Sequence, residues 1–253
     1  MTRILLCGCS GRMGRVIAEM AAESSDISAV VAGCDRVAYA ATFPIFESLS
    51  ACTVEADVLV DFSNAAALSD ILAYCEEKKL PAVLCSTGYS EDDLARIREV
   101  SARVPLFRSS NMSIGINLLS ALVRRAAEIL GEGFDIEIIE KHHNQKLDAP
   151  SGTALMLAEA ARDGLSYEPE YVYDRHAVRK KRDPHEIGLH AVRGGTIVGD
   201  HDVIFAGTDE VITLSHSAQS RRVFAAGALR AARYLSGVTE PGLYNMDHVI
   251  ASL

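Results

Sequence analysis

Residues 140–155 read Glu-Lys-His-His-Asn-Gln-Lys-Leu-Asp-Ala-Pro-Ser-Gly-Thr-Ala-Leu, which places proton donors, a fixed cation and a helix start side by side. His142 and His143 can exchange a proton near neutral pH, and Lys146 can pair with a carboxylate. Pro150, Ser151, Gly152 and Thr153 read as the opening of a helix whose first backbone N–H groups can face an anion. Neighbours at a strand end point to opposite faces, so the two histidines divide the work. One can donate a proton while the other, with Lys146, holds a carboxylate. The implied chemistry is protonation of a small acidic molecule. No metal is expected, because the segment lacks a helical HExxH pattern and adjacent histidines seldom bind one ion.

A second cluster follows the first apolar run: Gly8-Cys9-Ser10-Gly11-Arg12-Met13-Gly14. At a strand-to-helix junction, Gly8 allows a tight turn, Gly11 lets a pyrophosphate approach the backbone and Gly14 allows close helix packing. The spacing is GxxGxxG, with Ser10 where the middle glycine of the common dinucleotide fingerprint stands. Asp35, at the end of the second strand, can accept hydrogen bonds from ribose hydroxyls, which favours NADH. Arg36 with Arg12 could instead embrace a 2′-phosphate, so NADPH stays open. Ser86-Thr87-Gly88 and Ser109-Ser110-Asn111-Met112 stand after later strands, at the carboxyl ends where a cofactor crevice opens.

The elements that must position these clusters divide into two textures. Apolar strand-like runs at 4–7, 29–34, 58–61, 82–85 and 105–107 alternate with helical patterns at 13–24, 65–78 and 91–102, the signature of a doubly wound parallel α/β sheet. Beyond Asn111 the pattern becomes α+β. A helix over 116–130 is expected to bury Leu119, Leu122, Ala126 and Ile129. A half-exposed strand runs through Phe134, Ile136 and Ile138, a helix starts near Gly152, and strands follow at 188–192, 202–206 and 210–216. This second sheet is expected to be open and mixed, with its uncovered face paired to another subunit. A helix over 223–235 and a tail segment at 243–250 return to the first domain. The domains are thus 1–113 with 221–253, and 114–220.

With 253 residues, 49% hydrophobic and a net charge of −9, the chain can bury a sizeable core and lacks the broad basic face that nucleic acid requires. The run before Gly8 is too short for a secretory or membrane segment, which points to the cytoplasm. Cys7, Cys9, Cys34, Cys52, Cys75 and Cys85 form no CxxC pair and read as reduced core residues. The basic run 179–182 reads as a solvated surface.

The two clusters together closely resemble the 4-hydroxy-tetrahydrodipicolinate (dihydrodipicolinate) reductase family of bacterial lysine and diaminopimelate synthesis. Supporting matches are Asp61-Phe62-Ser63, Ser86-Thr87-Gly88, Asn111-Met112-Ser113-Ile114-Gly115, Arg193-Gly194-Gly195 and Gly199-Asp200-His201. The resemblance implies a Rossmann domain completed by the C-terminal segment, and a tetramerising mixed-sheet domain. It implies that a nicotinamide hydride attacks the conjugated imine of a dicarboxylate substrate after loss of its hydroxyl as water. By position, His142 is then the proton donor and Lys146 its essential partner, while His143, Lys146, Ser151, Gly152 and Thr153 hold the dicarboxylate. The dinucleotide falls to Gly8, Cys9, Ser10, Gly11, Arg12, Met13, Asp35, Arg36, Cys85, Ser86, Thr87, Ser109, Ser110, Asn111 and Met112. Asn144 and Gln145 depart from the family pattern, standing where basic or histidine residues are common and removing charge from the substrate loop. Two other readings remain: an aspartate dehydrogenase-like enzyme, and a dinucleotide-responsive sensor without catalysis.

Overall fold

The computed structural model describes residues 1–24 and 26–252. Ser25 and Leu253, both inside the expected first domain, lie outside the described residues. The chain divides into two compact units, Met1–Met112 with Arg221–Leu253, and Ser113–Ser220. The break falls before Ser113 because its hydroxyl accepts from Ile116 N–H and so caps the first helix of the second unit.

The first unit opens β1 (Thr2–Cys7), α1 (Arg12–Glu23), β2 (Ser28–Cys34), β3 (Ile45–Phe46), β4 (Val58–Asp61), α2 (Leu68–Lys78), β5 (Ala82–Leu84), α3 (Glu91–Ser101) and β6 (Pro105–Arg108). Ile4, Leu5, Leu6, Leu59, Val60 and Val83 are fully buried, as a sheet covered on both faces requires. Helix α2 is preceded by a short 3₁₀ turn, Ala65–Ala67, whose start is capped by the Asn64 side chain. Helix α3 starts on a capping box between Ser90 and Asp93.

The second unit contains α4 (Ile114–Leu130), β7 (Asp135–His142), α5 (Gly152–Gly164), β8 (Glu170–Val172), β9 (Glu186–Arg193), β10 (Gly199–Ala206) and β11 (Val211–Ala218). The chain then returns to the first unit as α6 (Arg222–Leu235), β12 (Gly242–Tyr244) and α7 (Met246–Ala251). Strand β12 pairs with β6, giving a parallel sheet in the order β12-β6-β5-β4-β1-β2-β3, while the second sheet runs β11-β10-β7-β9-β8. In that second sheet β7 is antiparallel to β10 and parallel to β9, so it is mixed. No helix among the described residues is long and apolar enough to cross a membrane.

Two expectations need correction. Helix α4 buries Ile116, Leu119, Val123 and Ala127, whereas Leu122 is 47% and Ile129 66% exposed. The helix is apolar on two faces, and spacing alone cannot say which one meets the sheet. The run 179–182 is not uniformly solvated either. Arg182 donates to Glu137 Oε1 at 3.0 Å and to Asp135 Oδ1 at 2.8 Å, and Lys180 pairs with the buried Glu186 at 3.1 Å. Those carboxylates stand on the interior strands β7 and β9 and draw cations of the run into local pairs. Strand β8, which sequence patterning omits, is only three residues long at the sheet edge.

The glycine turn is tight for a reason of space. Gly8 has φ +74°, and a Cβ on Gly14 would lie 2.2 Å from the Gly8 carbonyl oxygen. Gly14→Ala is therefore expected to push α1 off β1, at about 2 kcal/mol, the usual cost of overpacking. Denaturant unfolding checks this, with unchanged stability counting against the packing argument.

Candidate active site

At the carboxyl ends of β1, β2 and β4 lies a cavity of about 380 Å³ lined by Gly8, Gly11, Asp35, Arg36, Glu47, Phe62 and Asp70 among others. A second, of about 300 Å³, is lined by Met13, Phe62, Cys85, Ser86, Thr87, Gly88, Arg108, Ser109, Ser110, Asn111, Met112 and Phe224. Phe62 borders both, so the two read as halves of one crevice across the strand ends, where doubly wound sheets take their ligands. Gly88 stands where the Ser86-Thr87-Gly88 run is expected, whereas Phe62, Glu47, Asp70, Arg108 and Phe224 carry no cofactor expectation from the sequence. For Phe62 the signal was present, as the residue after the buried Asp61 that ends β4.

Cys9, Ser10 and Arg12 line neither cavity. Cys9 is fully buried, and its sulfur packs so closely on Gly33 that a Cβ there would sit 2.6 Å away. Only its backbone can face a ligand. Ser10 N–H donates to Asp35 Oδ2 at 3.0 Å, and Val37 N–H to Oδ1 at 3.2 Å, which locks the carboxylate at the cavity wall.

In the second unit the buried face of β7 carries Ile136, Ile138, Glu140 and His142 in strict alternation. The first two pack beneath α4 and α5 with Leu157, Ala158, Ala161 and Phe205. Each fully buried large aliphatic side chain of this cluster contributes roughly 2 kcal/mol. The last two form the polar end of the same row. Across the sheet Glu140 is in register with His201, and His201 with His216.

Glu140 is fully buried and its oxygens are saturated. Oε2 meets His142 Nδ1 at 2.6 Å and accepts from Arg193 Nη1 at 2.7 Å. Oε1 accepts from Arg193 Nη2 at 2.7 Å and from Ser151 N–H at 3.0 Å. Burial pushes the carboxyl pKa up, but Arg193, His142 and the Ser151 N–H outweigh it and hold Glu140 below the ordinary carboxylate value. The His142 and His201 rings meet edge-on with centroids 5.2 Å apart. Burial first, and the charge of His142 second, push the His201 pKa down to about 4.

His142 is 8% exposed, and its Nε2 lies 3.0 Å from where a Cβ on Gly199 would stand. The missing side chain keeps that nitrogen uncovered. His143 and Lys146 are half-buried, Gly152 is exposed and Thr153 half-buried at the start of α5. Lys146 Nζ pairs with Asp148 Oδ1 at 2.9 Å, and this hydrogen bond lowers the Asp148 pKa. Arg193 Nη2 also donates to the Asp148 carbonyl at 2.6 Å, tying the loop to β9.

Ser151 is differently placed from the sequence expectation. It is 1% exposed, its N–H is donated to Glu140, and its hydroxyl caps α5 by accepting from Ala154 N–H at 3.1 Å while bonding His201 Nε2 at 3.1 Å. Its atoms build the wall of the site. Glu140, Arg193 and His201, which sequence reasoning gave no role, are its main polar framework.

Known proteins agree with this architecture. The family model described as dihydrodipicolinate reductase, N-terminus, matches residues 2–112, and that described as dihydrodipicolinate reductase, C-terminus, matches 115–250. A 4-hydroxy-tetrahydrodipicolinate reductase of Clostridium botulinum (strain Eklund 17B / Type B) is 53% identical over 99% of this chain and 98% of its own. One from Caldanaerobacter subterraneus subsp. tengcongensis is 52% identical over the same shares. Among solved structures, a dipicolinate-bound dihydrodipicolinate reductase from Paenisporosarcina sp. TG-14 superposes with TM-score 0.77 at 24% identity, covering 97% of each chain. An aspartate dehydrogenase from Thermotoga maritima shares the fold alone, with TM-score 0.53 at 12% identity over 94% of this chain and 98% of its own. A Rossmann-like parallel sheet, a mixed sheet and relatives of about half identity along the whole length place one conclusion beyond the fold: the chain belongs to the dihydrodipicolinate reductase family.

Proposed function

We propose that this protein reduces 4-hydroxy-tetrahydrodipicolinate to tetrahydrodipicolinate with NADH or NADPH and loss of water, serving lysine and diaminopimelate synthesis in the cytoplasm. The observation that carries the reading is His142, a nearly buried imidazole with one nitrogen on Glu140 and the other uncovered beside Gly199. Bound nicotinamide supplies the hydride. The residues fit such a cofactor, since the Gly8 and Gly14 contacts leave no room for side chains in the turn and Asp35 stands ready for ribose hydroxyls.

His142 protonates the substrate from Nε2 at the carbon next to the one that receives hydride, so the electron pair displaced into the conjugated imine does not remain as a carbanion. One carboxylate is held by Lys146 and His143, with Lys146 exchanging its Asp148 partner for the ligand. The other faces the backbone at Gly152 and Thr153, where the dipole of α5 favours negative charge. Asp35, Glu47 and Asp70 line the first cavity against one arginine, Arg36, and this acidic excess favours NADH over its 2′-phosphorylated form. The open face of the mixed sheet, carrying Ile139, Val192, Ile204 and Val211, is the surface for assembly into a homotetramer.

Turnover of freshly generated substrate, followed with NADH and with NADPH, tests the reading. Lys146→Ala is expected to raise KM by about 10²-fold, the worth of a charge-assisted bond to carboxylate, and to lower kcat as well. No turnover by the wild type, with either cofactor, would reject the proposal.

A further inference from the structure

Glu140 is a fully buried carboxylate in hydrogen-bond contact with the imidazole of His142. Strand alternation puts the two side chains on one face, two residues apart. An ionised carboxylate only accepts hydrogen bonds, so Oε2 at 2.6 Å requires a hydrogen on Nδ1. A neutral imidazole carries a single N–H. With Nδ1 committed, Nε2 becomes the atom that gains and loses the proton.

We propose that Glu140, clamped by Arg193 and the Ser151 N–H, is a positioning residue that fixes His142 in the Nδ1–H tautomer and so makes Nε2 the proton-transferring atom. The inference rests on the reductase reading for its catalytic meaning, but the tautomer it assigns stands apart from it. In the step, the Nε2–H bond breaks, the proton passes to the carbon next to the one that received hydride, and the electron pair stays on Nε2. Neutral Nδ1–H imidazole remains, still bonded to Glu140. The guanidinium of Arg193 reaches both oxygens of Glu140 and keeps the carboxylate ionised despite its burial. His201, whose ring meets that of His142 edge-on, bonds the Ser151 hydroxyl through Nε2 and leaves Glu140 as the acceptor for Nδ1.

The test uses full-length protein labelled with ¹⁵N-histidine, with His142→Gln identifying the His142 signals. At alkaline pH wild-type His142 should show the Nδ1–H tautomer, and Glu140→Gln, whose amide can donate, should shift population to Nε2–H. The same variant should lose about 10²-fold in kcat, with KM and reduced-dinucleotide affinity within about threefold of wild type. An Nε2–H tautomer in the wild type overturns the proposal, as does a Glu140→Gln protein that binds dinucleotide and turns over normally. Should Glu140→Gln fail to fold, the wild-type tautomer still decides. A wild type without turnover but with the Nδ1–H tautomer rejects the reductase reading and leaves the positioning of His142 standing.

Discussion

His142→Gln is expected to lower kcat by about 10³-fold while changing KM little, the middle of the range for loss of a general acid. The substitution suits the site. Glutamine can present an N–H toward Glu140 Oε2, where His142 Nδ1 now lies at 2.6 Å, so the buried carboxylate keeps a partner. Arg193 and the Ser151 N–H remain on Glu140, which limits the structural cost to a fraction of what an unpaired buried charge would impose. The carboxylate grip assigned to Lys146, His143 and the start of α5 is untouched, so ground-state binding should persist. A loss confined to kcat is the mark of an interaction made in the transition state. Lys146→Ala, by contrast, should move KM. Steady-state rates on both variants separate the roles, and a His142→Gln enzyme within about threefold of wild-type kcat would remove His142 as the acid.

The parallel sheet was legible because both signals it needs are local. Val58, Leu59 and Val60 form a continuous buried run, and Gly8 opens a turn that only glycine adopts at φ +74°. The start of β7 is equally plain, since Asp135, Ile136, Glu137 and Ile138 alternate charged and apolar. The helix start at Ser151 was visible from the sequence for the same reason: a cap is read from adjacent residues.

What spacing could not supply was partnership across the sheet. Glu140 reads as an ordinary strand-end carboxylate until β9 brings Arg193 to it from 53 positions away, and His201 reads as a stray polar residue until β10 sets it beside Glu140. The same blindness explains Arg182, a loop residue whose partners Asp135 and Glu137 lie on β7, far away in sequence. For α4 the difficulty was excess rather than absence of signal. Leu118 and Leu122 compete with Leu119 and Val123, and the choice is made by the sheet beneath. Ser151 suits a ligand by type and position, and only the fold reveals that its N–H bonds Glu140 and its hydroxyl bonds His201.

Acid should weaken this fold earlier than its carboxylates alone would require, and His201 is the reason. Burial and the neighbouring His142 charge put its folded pKa at about 4, against an ordinary 6.5. Between those values the unfolded chain binds a proton that the folded chain refuses, so stability rises with pH across that window and is lost as pH falls through it. The full difference, roughly 2.5 units, corresponds to about 3 kcal/mol. His216, whose pKa burial also lowers, adds in the same direction. Glu140, Glu137 and Glu186, held below the ordinary carboxylate value, contribute their losses only at lower pH, which leaves the upper part of the window to the histidines. His201→Gln should therefore flatten the dependence of unfolding free energy on pH by up to about one proton, roughly 1.4 kcal/mol per pH unit at its steepest. It will lose the hydrogen bond to Ser151 and start from a lower stability at neutral pH, at a cost of about 1 kcal/mol. The slope is the diagnostic quantity, because a lost hydrogen bond shifts the whole curve while a lost titration changes its shape. Urea unfolding at a series of pH values measures both. Parallel curves for the two proteins would mean that His201 takes up its proton equally in the folded and unfolded chain, and would place the acid sensitivity elsewhere.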